Sequence, residues 1–294
     1  MELDYVYRSR ASEMAPAVDV VWLSDSVMAV AFQTGLIELI NVEDRSLVSS
    51  YNVAGTIMGL CTISANEVLV QTKSGSLYFF NVSGWKCMWS ISTKTAISFA
   101  RPVVTERRAC FVLKSQSVVG LVNIDTGNLD HEIELPKGSG QVVSIAVREP
   151  GLFLVLTESG SVFSITTEGK LELFLSVRFP DSSVPPTAMC VLPSGELLVG
   201  FSNGSVGLEK SVDGNHKWIS INGSSNSGVG SIVSFNNGKA IVVGYWNGRI
   251  AVHPEDGWDK DQPHMGSIRS IASNSHRVAI ASTDGRVSVW SITR

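Results

Sequence analysis

Three residues near the C-terminal end have the side chains that split acyl bonds. His264, Ser282 and Asp284 supply a base, a hydroxyl and a carboxylate, and such groups held in line activate a serine for attack. The same three also make a buried hydrogen-bonded relay when nothing can reach the serine. Their setting favours the relay. His264 precedes a strand signal at Ile268 and Ile271, Ser282-Thr283-Asp284-Gly285 ends a second strand, and Trp290 sits in a third. An indole there would cover the hydroxyl. A structural role is therefore the better reading of the three, with each buried polar group bonded to a partner, since one without a partner costs about 1–3 kcal/mol.

Other candidate chemistry is weaker. Gly200-Phe201-Ser202-Asn203-Gly204 matches a nucleophile-elbow pattern, but that motif needs a helix after the serine. Here the alternating Gly204–Leu208 follows, so Asn203-Gly204 reads as a hairpin turn. The glycine-rich run 222–228 lacks the lysine and the helix of a phosphate cradle. The histidines at 131, 216, 253, 264 and 276 have no ligand spacing. Asp19 is a carboxylate that could face a central channel. No catalytic residue, metal site or cofactor is expected.

Composition narrows the class further. Charged residues make up 17% of 294 and hydrophobic ones 44%, enough for a well-buried core. The net charge of −4, without a basic run, argues against nucleic-acid binding as the main activity. The N-terminus lacks the charged head and apolar run of a signal peptide. No apolar stretch approaches the ~20 residues that span a bilayer. Cys61, Cys87, Cys110 and Cys190 form no C-x-x-C pair, which suggests free thiols in the cytoplasm or nucleus.

These residues must be positioned by a repeat of short strands. Turns recur at Gln33-Thr34-Gly35, Lys73-Ser74-Gly75, Glu158-Ser159-Gly160, Ser202-Asn203-Gly204, Trp246-Asn247-Gly248 and Thr283-Asp284-Gly285, with a glycine-free copy at 114–117. They lie about 40 to 44 residues apart, the last interval being about 37, which is the period of a four-stranded propeller blade. The expected blades cover residues 17–53, 57–92, 98–135, 141–177, 187–222, 228–262 and 267–294. The seventh has no room for an outer strand after Ile292, while residues 3–9 precede the first blade without a partner. An open edge is a liability. Residues 1–10 are therefore expected to supply the missing strand and close a single all-β, seven-bladed ring. The basic turn 105–108 is expected to be solvated.

The stretch from His264 to Trp290 resembles the repeat of the WD40 β-propeller family. The resemblance implies the ring, a buried relay of His264, Ser282, Asp284 and Trp290 that locks strands of one blade in register, and a top face carrying the d–a and b–c loops, where partner proteins bind. The residue before the relay aspartate commonly points up from that face; the matching positions include Gln33, Lys73, Glu158 and Trp246. With Tyr245 and Trp258 beside the last of these, they are the candidate protein-binding residues, since tryptophan is enriched among interface hot spots. The long loops 10–17, 178–186, 222–228 and 254–264 are expected on the same face. Gly244–Ile250 and Val289–Ile292 are also similar to ASTRA-associated propellers, which help mature large PI3-kinase-like kinases. The resulting expectation is a non-enzymatic scaffold, a monomeric disc within a larger complex that binds protein segments and neither nucleic acid nor membrane. The alternatives are a propeller enzyme with a metal-dependent hydrolase site in its channel, and a phosphoinositide-binding propeller.

Overall fold

The computed structural model describes residues 1–11, 15–92, 100–113, 115–177, 184–212, 215–221, 226–254 and 263–291. They form seven antiparallel sheets, six of four strands and, among the described residues, one of three. Consecutive strands of each blade pair as a meander. The inner strands, Ala17–Trp22, Ile57–Ser64, Val103–Thr105, Val142–Glu149, Pro186–Val191, Val229–Phe235 and Ile268–Ser273, each adjoin the next, and the last adjoins the first. The molecule is a closed seven-bladed β-propeller.

Burial explains the strand sequences. Val27–Phe32 and Ala240–Tyr245 are almost wholly apolar because neighbouring blades cover both of their faces. Seven hydrophobic clusters result, one at each contact between blades. Ile37 of blade one meets Leu60 and Phe80 of blade two, and Phe235 of blade six meets Ile280 and Trp290 of blade seven. Outer strands such as Ser46–Asn52 have one neighbour fewer and alternate with solvent. Hydrogen bonds from half-buried indoles and a hydroxyl add ties between blades, from Trp22 Nε1 to Ala272 O at 3.1 Å and from Thr62 Oγ1 to Trp22 O at 2.9 Å. Trp89 Nε1 reaches Ile124 O in the same way, at 2.6 Å.

The ring closes as the sequence predicts. The N-terminal strand Glu2–Arg8 pairs antiparallel with Arg286–Ser291 and becomes the outer strand of blade seven. Polar anchors hold it against blade one: Tyr7 Oη and Ser9 Oγ donate to the two oxygens of the buried Glu38, at 2.8 and 2.9 Å. In one respect the expectation at the rim fails. Arg107 is not simply solvated but bridges Glu67 of blade two and Asp125 of its own blade, at 2.9 and 2.6 Å.

Blade six comprises Val229–Phe235, Ala240–Tyr245 and Ile250–His253 among the described residues. The proposed contact Trp258 lies outside them, as does most of the loop 254–264 and parts of the loops 10–17, 178–186 and 222–228.

Candidate functional site

One repeated backbone bond sets the upper face. The N–H of Gln33, Lys73, Glu158, Ser202, Trp246 and Thr283 donates to the carbonyl of Pro16, Thr56, Gln141, Pro185, Gly228 and Ser267 respectively. Each b–c turn is thereby tied to the residues leading into the inner strand of its own blade, so these positions share one end of the ring. A glycine with positive φ, from Gly35 to Gly285, closes each of the six turns. Gln33, Lys73, Glu158 and Trp246 are exposed there. Gly200–Gly204 is one of these turns, with Phe201 N–H donating to Ser205 O, and not a nucleophile elbow.

Trp246 and Tyr245 part company. Trp246 keeps 45% of its surface exposed and rests its indole against Gly228 and Gly230, where an added Cβ at Gly228 would lie 2.5 Å from the ring. Glycine at 228 is what lets the indole settle on bare backbone, whereas at 230 a side chain would first meet the carbonyl oxygen of Ile268. Its observed seat is thus the inner strand of its own blade, at the rim of the channel. Tyr245 is corrected: as the last residue of its strand it points the other way, is 2% exposed and packs with Val229 and Ile232. It cannot be a contact.

The relay is built, with one substitution in its membership. Trp290 Nε1 donates to Ser288 Oγ at 2.8 Å, and Ser288 Oγ lies 2.8 Å from His264 Nε2. His264 Nδ1 faces Asp284 Oδ1 at 3.5 Å. Indole is a donor only, so Ser288 Oγ accepts from Trp290 while it faces His264. Ser282 is not the relay serine; it is buried and accepts the N–H of Asp284 at 3.4 Å. Strand periodicity gives the reason, since Ser288 shares a strand face with Trp290. Burial works against the charge of Asp284. Hydrogen bonds from His264 and from the N–H groups of Met265 and Arg286 outweigh it and hold the carboxyl well below its usual range. Ser288, His264 and Asp284 have the connectivity of a hydrolytic triad, yet Ser288 has no exposed surface and its oxygen is capped by the indole.

Within the ring lies a channel of about 710 Å³. Its wall includes Val18, Met58, Val143 and Trp246, and its charged lining among the described residues is Arg101 and Arg269. Asp19 does not line it. This carboxylate is fully buried, accepting from Val20 N–H (2.9 Å), Ser270 Oγ (2.6 Å) and Leu60 N–H (2.7 Å), with Arg101 Nη1 at 3.1 Å. Arg101 also donates to Ser270 Oγ at 3.0 Å and to the carbonyl of Arg269, so one guanidinium of blade three is fastened to blades one and seven. Sequence reading missed this knot. A signal for it exists: a small or polar residue recurs just after the bulge of the inner strand, at Asp19, Gly59, Ser144, Ala188, Ser231 and Ser270.

Cys61 also lines the channel, but burial, then the charge of Asp19, pushes its thiol up to about 12, far from a nucleophile's range. Among the described residues no group of three or more His, Cys, Asp or Glu side chains is placed to hold a metal. Among the described residues no helix is long and apolar enough to cross a membrane. Comparison with known proteins adds no name to this geometry: no family model and no curated protein matches the chain.

Proposed function

We propose that this propeller is a non-enzymatic scaffold that holds a segment of a partner protein across the upper mouth of its channel. The observation that carries the reading is Trp246, a half-exposed indole laid on a glycine floor at the channel rim. Exposed tryptophan on a rigid support suits an interface anchor, because it brings a large area with little loss of side-chain freedom. Gln33, Lys73 and Glu158 stand on the same face as polar rim groups. The disc itself is a common scaffold for protein interaction, and the relay of blade seven supports counting it among WD40-like propellers. The likeness to ASTRA-associated propellers rests on Gly244–Ile250 and Val289–Ile292 alone. A cytoplasmic or nuclear address fits the free cysteines.

A photo-crosslinking residue placed at position 246, and separately at Leu173 on the exposed outer rim, tests the reading in cells. Position 246 should yield a discrete crosslinked protein that position 173 does not. The same products from both positions, or none from 246, would contradict it.

A further inference from the structure

We infer that Met265 is a second anchor of the upper face, receiving an apolar side chain of the bound segment beside Trp246, and that peroxide oxidation of its thioether releases that segment. The inference rests on the top-face reading above and adds the chemistry of the partner and a control on its binding. Large apolar side chains that stand exposed among the described residues lie on the outer strands, Leu47 and Leu173 among them, with two exceptions. An outer strand has one neighbour fewer, which accounts for its exposure. No such reason covers Trp246 and Met265.

The two exceptions sit on adjoining segments. An added Cβ at Gly248, which closes the Trp246 turn, would lie 2.6 Å from the carbonyl oxygen of His264 and 2.9 Å from that of Gly266. On its other side the same segment backs on the turn of blade seven, where an added Cβ at Gly266 would lie 2.6 Å from the nitrogen of Asp284. Met265 itself donates its N–H to Asp284 Oδ2 at 2.9 Å. Its backbone is thereby held between two b–c turns, while the residue is 87% exposed. Single exposed apolar residues are ordinary on a protein surface. A neighbouring pair on fixed backbone is the pattern of a contact, and fixed backbone spares the cost of ordering a loop on binding. Half an indole and one thioether chain amount to roughly a few hundred Å², well below the roughly 800 Å² a side of a stable dimer. The patch therefore suits one leucine- or phenylalanine-sized side chain of a partner segment, and not a second copy of the disc. Exposure also decides the chemistry. Hydrogen peroxide transfers one oxygen atom to Sδ: the O–O bond breaks, an S–O bond forms, the sulfur gives up two electrons and water leaves. A polar sulfoxide then stands where the apolar anchor stood.

The test selects random dodecapeptides displayed on phage against the intact chain and measures the recovered sequences, as labelled peptides, by fluorescence anisotropy. They should carry leucine, phenylalanine or tryptophan, and should lose about tenfold in affinity for Met265→Gln and for the peroxide-treated parent. Met265→Leu, apolar and without sulfur, should bind as the parent does before and after peroxide. Leu173→Gln, which removes an exposed apolar side chain from an outer strand, should change nothing. Peptide mapping of the treated parent by mass spectrometry should find Met265 oxidised ahead of the 50% exposed Met88, with the buried Met28 intact. Unchanged affinity for Met265→Gln, an equal loss in Met265→Leu after peroxide, polar peptides or none from the selection, or oxidation of Met88 ahead of Met265 would overturn the inference. A peptide weakened by Trp246→Ala and indifferent to Met265→Gln would leave the scaffold reading standing while this one falls.

Discussion

The two sides of the ring are held together differently. From blade six through seven and one to two, a polar side chain just past the inner-strand bulge accepts an N–H of the next blade. Ser231 takes Ile271, Ser270 takes Val20, and Asp19 takes Leu60. On the opposite side the same position is Gly59 or Ala188, which have no acceptor to give, and Ser144 is half exposed on the channel wall. There the bulge position leaves the contact to apolar clusters, as where Leu69, Leu77 and Phe79 meet Phe111, and the directional ties come from other positions, as from Trp89 to Ile124 and from Thr187 Oγ1 to Val229 O. The polar side contains the seam where N-terminal strand and last blade meet. Apolar contact between blades is non-directional, whereas a hydrogen bond fixes register. Directional bonds are concentrated where the ring has to join its own ends.

Removing the clasp should break this contrast most severely. Without residues 1–10 the edge of Arg286–Ser291 is bare and Glu38 loses two donors. The expected loss is about 5 kcal/mol or more, comparable to the whole stability of a marginal domain, seen as aggregation or a collapsed urea midpoint. A truncated chain that melts alongside the intact one would show that the seam is not special.

Next comes the knot. Asp19→Ala strands Arg101 and two backbone donors, and should cost about 3–5 kcal/mol in urea unfolding. Ser144→Ala, at the same blade position across the ring, should stay within about 0.5 kcal/mol of the parent. Similar losses from both would erase the difference between the two sides.

The relay should come third. Asp284→Asn removes the charge and turns one of two accepting oxygens, which face His264 and the N–H groups of Met265 and Arg286, into a donor, and should cost about 2–4 kcal/mol near neutral pH. The carboxyl pKa is lowered by folding, so its contribution is complete above the unfolded value, about 4, and is lost as pH falls towards the folded value. The gap between parent and variant should therefore narrow in acid. A gap that is constant from neutral pH into the acid range would remove the ionised Asp284 from the account.

Much of this was readable in the chain because it is local. Turn glycines at blade spacing announce the repeat, and an unpartnered segment before the first blade announces the clasp. Local pattern also explains two misreadings. The resemblance to the WD40 repeat puts Ser282 in the relay, although strand alternation puts Ser288 beside Trp290. Tyr245 was grouped with its neighbour Trp246, although adjacent strand residues face opposite ways. The knot was only partly legible, for a different reason: the small or polar residue after each bulge recurs, but its partners are not local. Arg101 and Ser270 are 169 positions apart, and only the curvature of the closed ring brings them together.

The smallest effect on folding carries the largest consequence for function. Trp246→Ala removes a half-exposed side chain and should change stability by less than about 1 kcal/mol. The most direct test of the scaffold reading is the affinity of the protein crosslinked from position 246, measured by calorimetry against the parent, Trp246→Ala and the rim variant Leu173→Ser. The account predicts binding weakened by about 2 kcal/mol or more in Trp246→Ala, with Leu173→Ser binding as the parent does. Unchanged affinity in Trp246→Ala, or an equal loss in Leu173→Ser, would contradict it.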